Sequence, residues 1–573
     1  MAIARGLHPQ AKVTEYQQRG WWTDETLDVF YLRQVAERGD RLAIVDPPNR
    51  PDLLGSTARR LSWTELDDEV HAIAARLLDL GLERGDVLGV QMPNTVELAE
   101  VYLAAWLLGI VVSPLPMQYR EHEIVGMANQ AGLRAFVTSA GFAGRRPAAE
   151  AAALAPRVPT LEHVIAFGAT EEMEGLEYGI TVWTPARATA EERAAVDARR
   201  AADPNDANDC ATICWTSGTE SEPKGVPRAH LEWVAISTAT VDAPRVTADD
   251  VLLNPFPMVN MAGINGMFLP WLRTGGVLVQ HHPFDLKIFL SQIATERATY
   301  TVAPPALLWM LLHNDALLSQ IDLSSLTRIG SGSAPLQPVM VRGWQDKLGI
   351  GVINFFGSNE GIALLSSLED FPDPDDRAQY FPRYGAPGVT WSSKVSEWVT
   401  IKLVDPATGQ EVTEPGVPGE LRIGGPTIFA GYLNPETRAN PFDSEGLLMT
   451  GDIFEIAGDQ NQFLHYLDRA KDLVIRGGMN IAPAELEALI GEHPAVADVA
   501  VVGDPDEQMG ERVAAVVTLN PGASLTLEEL IAFLREAKIA SYKLPERLEV
   551  RDELPRNPVG KVLKRELRRP VHA

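Results

Sequence analysis

The chain of 573 residues is too long for one hydrophobic core, so we expect at least two domains. Hydrophobic residues make up 45% of it, which is typical of a folded globular protein. The formal net charge of −27 argues against nucleic acid or an anionic membrane surface as a partner. A polyanionic ligand would therefore have to enter a locally basic pocket.

The early part of the chain predicts parallel β-structure. From about Leu61 to Ser139, helical patterns alternate with short apolar runs, which is typical of βαβ units. The longest apolar run, from Val101, is shorter than the roughly 18 residues of a membrane span. Asn94 and Glu97 precede it with the spacing of a capping box, so we expect a buried helix. The N-terminus shows no signal-peptide pattern, and we expect a cytoplasmic protein without membrane insertion.

Only two cysteines are present, Cys210 and Cys214, and they lie four residues apart on an apolar run that predicts a strand. Two cysteines form neither a disulfide framework nor a four-ligand metal site. We expect both to pack in the core of a protein from a reducing compartment.

Later segments change in character. Between Val389 and Tyr432, apolar runs punctuated by Gly and Pro predict a more antiparallel subdomain. Its last part, "GPTIFAGY" at 425–432, is assigned to turn and packing roles. After residues 468–472 the pattern restarts as helix, strand, strand and helix, which indicates a compact module of about 100 residues.

The loop after the cysteine strand is the first candidate site. It reads "WTSGTESEPKGVPRAH" from Trp215 to His230, and its glycine, hydroxyl groups and lysine are what a polyphosphate needs. Glu220 and Glu222 argue the other way, and the Walker A order is absent. Taken alone, such a loop is more often a turn than a nucleotide site.

Five further segments follow in a fixed order: "GSGSAPL" (330–336), "NFFGSNEG" (354–361), "MTGD" (449–452), "LDRAKDLVIRGGMNIAPAELE" (467–487) and "LPRNPVGKVLKREL" (554–567). Together with the loop, they resemble the adenylate-forming superfamily of acyl-CoA synthetases, luciferases and peptide-synthetase adenylation domains. The resemblance covers nearly the whole chain. It is strongest to bacterial acyl-CoA synthetases for medium-chain and alicyclic acids.

This resemblance implies an α/β fold with a large N-terminal domain, residues 1–468, that has two βαβ-type sheets and a smaller β-rich barrel subdomain. A hinge at 469–472 would lead to a small mobile α+β domain, 473–573. It also implies two half-reactions: a carboxylic acid and MgATP give an acyl-adenylate and pyrophosphate, and the thiol of CoA then displaces AMP. ATP, Mg²⁺ and CoA are the expected cofactor and co-substrates of a monomer or homodimer.

The resemblance also predicts the nucleotide site, residue by residue. The phosphate cradle consists of Thr216, Ser217, Gly218, Thr219 and Lys224. The adenine and α-phosphate wall consists of Gly332, Ser333, Ala334, Asn354, Phe355, Phe356, Gly357, Ser358 and Asn359. Phe356 is expected to stack on adenine, Asp452 to accept the ribose hydroxyls, and Arg469 to supplement it.

The catalytic groups are predicted in the same way. Lys561 matches the lysine whose ammonium neutralises charge shared by the carboxylate and the α-phosphate. Glu360 matches the magnesium carboxylate, a hard oxygen ligand. Lys471 matches the hinge position, and Gly477 and Gly478 lie beside the thiol tunnel. In isolation, Lys561 would suit a basic tail and Glu360 a solvated surface charge. The glycine pair would suit a turn.

The acid pocket is predicted in "NPFPMVNMAGINGMF", from Phe256, Asn260 and Met261, together with Gly332. Methionine adapts to irregular apolar shapes, and no Asp in this segment could pair with an amino-acid ammonium. We therefore predict a bulky, mostly apolar monocarboxylate. The alternative is that the segment is ordinary core.

Four positions depart from the family pattern. Glu220 and Ser221 replace the second Thr and second Gly of the loop, Asn359 replaces a Thr, and Asn260 replaces a His or aromatic residue. We expect Glu220 to point outward or to contact the moving domain, Asn359 to donate to the α-phosphate, and Asn260 to orient the carboxylate or a polar substituent. These departures leave adenylation as the prediction and put its rate and the second half-reaction in question.

Other functions stay open at this point. The acyl group could pass to a carrier-protein thiol or to a separate thioesterifying partner. The chain could be a degenerate ATP-binding regulatory protein, although it retains Glu360, Asp452, Arg469 and Lys561. A luciferase-like oxygenase would share the first half-reaction.

Overall fold

The computed structural model describes residues 5–168, 179–216, 223–437, 439–469, 472–476, 479–506, 509–537, 539, 541–556 and 562–568. The chain forms two compact units. The first comprises Met1–Arg377, Thr390–Thr400 and Gly424–Pro441. The second comprises Ala378–Val389, Ile401–Ile423 and Phe442–Ala573. The hinge at 469–472 and the separate domain 473–573 stay predictions.

The first unit contains a seven-stranded sheet that carries the phosphate-loop segment. Its strands lie in the order Ile180–Trp183, His163–Phe167, Leu133–Ser139, Val87–Gln91, Val111–Pro114, Cys210–Thr216 and Lys224–Ala229. All neighbours are parallel except the last two, which form an antiparallel pair. The associated helices are Trp63–Asp79, Val96–Leu107, Glu121–Ala131, Pro147–Leu154 and Ala190–Ala202, with a 3-10 turn at Ala155–Arg157. The parallel βαβ prediction is confirmed.

The same unit contains an eight-stranded sheet. Its strands lie in the order Ala363–Ser366, Gly351–Gly357, Arg328–Gly332, Tyr300–Val302, Val251–Asn254, Val277–Gln280, Leu42–Val45 and Arg60–Ser62. The two edge pairs are antiparallel and the inner pairs parallel. The remaining helices of this unit, with one that crosses into the second unit, are Gln10–Gln18, Leu27–Arg38, Arg50–Leu54, His230–Asp242, Met261–Gly263, Ile264–Phe268 (a π-helix), Leu269–Thr274, Leu286–Thr295, Pro305–Leu312, Asp315–Leu318, Pro338–Leu348 and Pro374–Gln379, with 3-10 turns at Lys394–Glu397 and Pro435–Thr437.

The second unit has two sheets. One orders its strands as Tyr380–Pro382, Phe463–Arg469, Leu448–Ala457, Gly419–Gly424 and Thr400–Val404, and its first three pairings are antiparallel. The other contains Met479–Ile481, Val474–Arg476, Gly510–Leu519, Val496–Asp506 and Arg547–Val550. Its helices are Pro483–Gly491 and Leu527–Glu536, with 3-10 turns at Ser541–Lys543 and Lys564–Glu566. The α/β fold class with a β-rich part and an α+β C-terminal module is confirmed.

The long apolar run forms a helix that is buried along its whole length, Val96–Leu107. The predicted capping box is wrong: the N-cap is Thr95, and the amide of Asn94 donates to the Phe256 carbonyl at 2.8 Å. Glu97 instead pairs with the buried guanidinium of Arg50. The side chains of Asn94 and Glu97 have the spacing of a capping box, but both contact residues far away in the sequence. Spacing alone does not reveal such contacts. Among the described residues, no helix has the length and apolarity to cross a membrane.

Both cysteines are buried free thiols, as predicted. Cys210 and Cys214 lie on the strand Cys210–Thr216, which precedes the phosphate-loop segment in the sequence. Burial raises the pKa of the Cys214 thiol to about 12, and that of Cys210 also lies well above its usual range. Both are packing residues of the core.

Candidate active site

Two antiparallel strands, Cys210–Thr216 and Lys224–Ala229, flank the phosphate-loop segment in the sequence. Thr216 and Lys224 are register partners on these two strands, and both are half-buried. This pairing therefore places the predicted first and last residues of the phosphate cradle opposite each other. Ser217, Gly218 and Thr219 lie outside the described residues, as do the departures Glu220 and Ser221.

A tyrosine connects the cradle lysine with the proposed magnesium carboxylate. The Lys224 ammonium lies 5.4 Å from the centroid of the Tyr432 ring. The Tyr432 hydroxyl donates to Glu360 Oε1 at 2.9 Å, and the Phe429 amide donates to the Glu360 carbonyl at 2.9 Å. The segment 425–432 is therefore more than a turn, and the assignment of Tyr432 to packing alone missed its contact with Glu360.

The adenine wall is built from two neighbouring parallel strands. Gly332 and Phe355 are register partners at the carboxyl ends of Arg328–Gly332 and Gly351–Gly357, the edge where α/β sheets bind ligands. A Cβ at Gly332 would lie 2.2 Å from the Phe355 carbonyl oxygen, so only glycine permits this approach. Ser333 follows with φ of +72°, in the left-handed region, and Ala334 is exposed beside it. A turn of small side chains thus borders the strand end that carries Phe356.

Asn359 joins three segments. Its Nδ2 donates to the Trp215 carbonyl at 3.2 Å, and its Oδ1 accepts from the Met261 amide at 2.9 Å. It therefore links the strand before the phosphate loop to the predicted acid pocket. One Nδ2 hydrogen takes part in this contact, so the second is the group that the predicted α-phosphate contact would use.

Asn260 has a local role that the sequence analysis did not assign. It is the N-cap of the short helix Met261–Gly263, and its Oδ1 accepts from the Ala262 amide at 3.1 Å. Because the oxygen faces the helix, only the amide nitrogen can meet a substrate carboxylate here. A π-helix follows at Ile264–Phe268, a distortion that is frequent at functional sites.

The predicted pocket segment divides into core and lining. Phe256 and Met261 are half-buried, whereas Met258 and Met267 are buried. A Cβ added at Gly266 would meet no atom within 4 Å, so this position borders open space. Part of the run is therefore core, and Phe256, Asn260 and Met261 are the members that a ligand could meet.

The predicted ribose-binding pair lies in the second unit. Asp452 and Arg469 are register partners on adjacent antiparallel strands, and Arg469 Nε lies 2.7 Å from Asp452 Oδ1. Asp452 is only 2% exposed. The sheet therefore holds a buried carboxylate in a fixed orientation against a guanidinium.

The remaining predicted residues, Lys471, Gly477, Gly478 and Lys561, lie outside the described residues. Three positions beyond Lys561, the Lys564 ammonium bonds Glu487 Oε1 at 2.9 Å. The Glu487 and Asp468 carboxylates raise the pKa of Lys564 against the opposing effect of its burial. This half-buried pair anchors the segment that follows the predicted catalytic lysine.

Comparisons with known proteins identify the family of the chain. The sequence model of the AMP-binding enzyme family matches residues 31–433, and that of the AMP-binding enzyme C-terminal domain matches 485–561. The medium-chain fatty-acid CoA ligase of Escherichia coli K12 is 29% identical, with 97% of this chain and 92% of the relative covered. A methyl-dioxo-octahydroindenyl propanoyl:CoA ligase of Mycobacterium tuberculosis is 33% identical, with 94% and 99% covered.

Among solved structures, the crystal structure of ATP-bound MatB from Rhodopseudomonas palustris is similar, with a TM-score of 0.75 and 28% identity. The alignment covers 95% of this chain and 98% of that one. Since the family model matches well over half of its residues, the chain belongs to the AMP-binding enzyme family.

Proposed function

We propose that this chain activates a bulky, mostly apolar monocarboxylic acid and transfers it to CoA. It is an AMP-forming acid:CoA ligase, an activity shared by curated relatives aligned over nearly its full length. One observation carries the proposal: Tyr432 contacts both the Lys224 ammonium and the Glu360 carboxylate beside the phosphate-loop segment. We further propose that it acts in the cytoplasm as a monomer or homodimer.

In the first half-reaction, a carboxylate oxygen of the acid forms a bond to the α-phosphorus of ATP. The bond from that phosphorus to the bridging oxygen breaks, and pyrophosphate leaves. We assign Lys224 to the pyrophosphate end and Lys561 to the charge that develops at the α-phosphate. In the second half-reaction, the sulfur of CoA bonds to the acyl carbon, AMP leaves, and the thiol proton passes to solvent.

Magnesium fits the residues that are present. Within the described part of the chain, no three His, Cys, Asp or Glu side chains cluster as a metal site. Mg²⁺ in phosphoryl-transfer sites typically takes one or two carboxylates together with substrate phosphates and water, so a full protein cage is not needed. Glu360, held through Oε1 by Tyr432, would be this carboxylate, and the ion would neutralise phosphate charge.

The proposed acid class rests on the pocket segment. Phe256 and Met261 offer apolar surface, Gly266 borders open space, and residues 254–268 contain no acidic side chain. The two relatives named above act on a fatty acid and on a fused-ring propanoate, according to their names. Apolar side chains beside the Asn260 amide suit such monocarboxylates better than acetate or an amino acid.

The experiment is a pyrophosphate-exchange screen over fatty, aromatic, alicyclic and polycyclic acids, with acetate and free amino acids as controls. It is repeated with CoA and with a carrier protein as acceptor. We expect exchange with a bulky apolar acid and thioester formation with CoA. Preference for acetate or an amino acid would refute the acid class, and thioester formed only on the carrier would refute CoA as acceptor. Absence of exchange with every acid would favour a regulatory ATP-binding protein.

Replacing Asn260 by His or by Asp separates its two roles. Asp can still accept the helix-capping hydrogen bonds but cannot donate an amide hydrogen to a carboxylate. We expect Asn260→Asp to keep the melting temperature and to raise KM for the acid about tenfold, because an anion would face the substrate carboxylate. Asn260→His should change acid selectivity. Unchanged KM and selectivity in both variants would remove this residue from the acid site.

Replacing Lys471 by proline tests the predicted hinge. Proline fixes φ, so rotation of the C-terminal residues between half-reactions should be restricted without any change at the phosphates. We expect thioester formation from supplied acyl-adenylate to slow about tenfold while pyrophosphate exchange persists. Lys471→Ala is the matched control, since it removes the charge and keeps backbone rotation. Equal slowing in both variants, or none in the proline variant, would contradict a hinge at this position.

A further inference from the structure

Three buried polar residues lie close together near the strand Lys224–Ala229, and we name them the buried triad: His8, Arg228 and Glu232. Arg228 is near the end of the strand Lys224–Ala229, Glu232 is in the first turn of the helix His230–Asp242, and His8 precedes the first helix. Their side chains are at most 1% exposed. Burial of charge costs free energy unless it is compensated, so the contacts of these groups require an explanation.

Arg228 contacts two loops of the active site. Its Nη2 donates to the Thr427 carbonyl at 2.9 Å, and its Nη1 donates to the Asn359 carbonyl at 3.4 Å. The first carbonyl belongs to the segment that ends in Tyr432, and the second lies directly before Glu360. One planar guanidinium thus joins the strand that begins with Lys224 to both segments that hold the proposed magnesium carboxylate.

The other two members hold the guanidinium in place. Glu232 Oε2 lies 3.2 Å from Arg228 Nε and accepts from the Ala229 amide at 3.0 Å. Glu232 Oε1 is hydrogen-bonded to the imidazole of His8, whose own backbone amide donates to Asn208 at 2.9 Å. Burial lowers the pKa of Arg228, and the carboxylates of Glu232 and Glu360 oppose that shift. The Glu232 carboxylate therefore favours the charged form of the guanidinium, and the hydrogen bonds to the Thr427 and Asn359 carbonyls orient it.

The two loops meet with no spare volume. Gly361 has φ of +111°, and a Cβ there would lie 2.0 Å from the Thr427 carbonyl oxygen and 2.5 Å from Arg228 Nη1. Glu360 thus lies between two fixed neighbours in the chain: Gly361 packs on the loop 425–432, and the Asn359 carbonyl accepts from Arg228. A shift of Arg228 would displace both loops, and with them the carboxylate.

We propose that Arg228, supported by Glu232 and His8, is a positioning residue for magnesium and the phosphates. It holds the loop 357–361 against the loop 425–432, so that Glu360 keeps its place relative to Lys224. This inference rests on the proposed role of Glu360 as the magnesium carboxylate. It assigns Arg228 no contact with substrate.

The test compares Arg228→Met and Arg228→Lys with wild type and with Arg377→Met. Arg377 is the matched control, because it is also a buried arginine in the first unit and donates to the carbonyls of Val352 and Phe371 at 2.8 and 2.6 Å. For each variant, pyrophosphate exchange gives the Mg²⁺ activation midpoint at fixed ATP and KM for the acid. Calorimetric titration with ATP at several Mg²⁺ concentrations gives the same midpoint without turnover, and thermal unfolding gives Tm.

We expect Arg228→Met to raise the Mg²⁺ midpoint about tenfold or more, as loss of outer-shell support does at other metal sites, and to leave KM for the acid within about twofold. The lysine of Arg228→Lys can reach one carbonyl but not two, so its Mg²⁺ midpoint should lie between those of Arg228→Met and wild type. Arg377→Met should lower Tm and leave the midpoint unchanged.

An unchanged midpoint in folded Arg228→Met, or equal shifts in the midpoint and in KM for the acid, would overturn the proposal. If the Met variant does not fold, the Lys variant decides by the same two criteria. If the Glu360→Gln variant has the same Mg²⁺ midpoint as wild type, the magnesium role of Glu360 is refuted instead. If no acid supports exchange, the acid:CoA ligase function fails, and the calorimetric midpoint still decides the role of Arg228.

Discussion

Replacing Lys561 by alanine should reduce adenylate formation about 100- to 1000-fold, which is the typical cost of removing a group that stabilises developing transition-state charge. The ammonium would neutralise charge in the displacement at the α-phosphate, so the loss should appear in kcat of pyrophosphate exchange. Thioester formation from supplied acyl-adenylate does not pass through that transition state. It should proceed at close to the wild-type rate.

The matched control for this variant is Arg565→Ala. Arg565 is an exposed cation in the same basic segment, so it tests whether general positive charge near the C-terminus is what matters. We expect Arg565→Ala to change exchange by less than about twofold, because exposed charges are screened by solvent and salt. Equal losses in both half-reactions of a folded Lys561→Ala enzyme would contradict the assignment.

Replacing Glu360 by glutamine should lower kcat/KM for MgATP about 100-fold and raise the Mg²⁺ activation midpoint. Glutamine keeps the shape of the side chain and an oxygen for the Tyr432 hydroxyl, so the contact at 2.9 Å can persist. What is lost is the negative charge that a hard cation requires. The measurement is exchange as a function of Mg²⁺ at fixed ATP.

Two further variants make this result specific. Glu369→Gln removes an exposed carboxylate that is 3.6 Å from Arg245, and it should leave the midpoint unchanged. Tyr432→Phe removes the hydrogen bond and keeps the carboxylate, so its midpoint should lie between those of wild type and Glu360→Gln. A wild-type midpoint in Glu360→Gln would exclude this residue as the magnesium ligand.

The sequence predicted the fold class and the neighbourhoods of the site residues because both follow from local patterns. Alternating helices and apolar runs predicted the parallel sheets. The run "CATICW" was predicted to be a strand that leads into the loop, and it forms most of the strand Cys210–Thr216. The small residues at 332–334 were assigned to the adenine wall, and Ser333 has a left-handed backbone directly after the strand Arg328–Gly332.

The contacts that orient the site could not be predicted, because they join residues far apart in sequence. Asn359 was considered only as a phosphate donor, yet it bridges Trp215 and Met261. Asn260 was considered only as a substrate contact, yet it caps a helix. Short polar side chains serve caps, turns and ligands equally well, and spacing does not distinguish these uses. The burial of a cation such as Arg228 cannot be predicted from the sequence either, because it depends on tertiary packing.

The two cysteines have a practical consequence for fluorescence work. They are the only thiols in the chain, and burial raises the pKa of both, so they are poor nucleophiles toward maleimides and disulfide reagents. Thiol-directed dyes should therefore label the natural protein very little. A cysteine introduced at exposed Val29 and another at exposed Val417 would attach a dye pair to the first and the second unit. Energy transfer between the dyes would then follow their separation in single molecules, with acid, ATP or CoA added in turn.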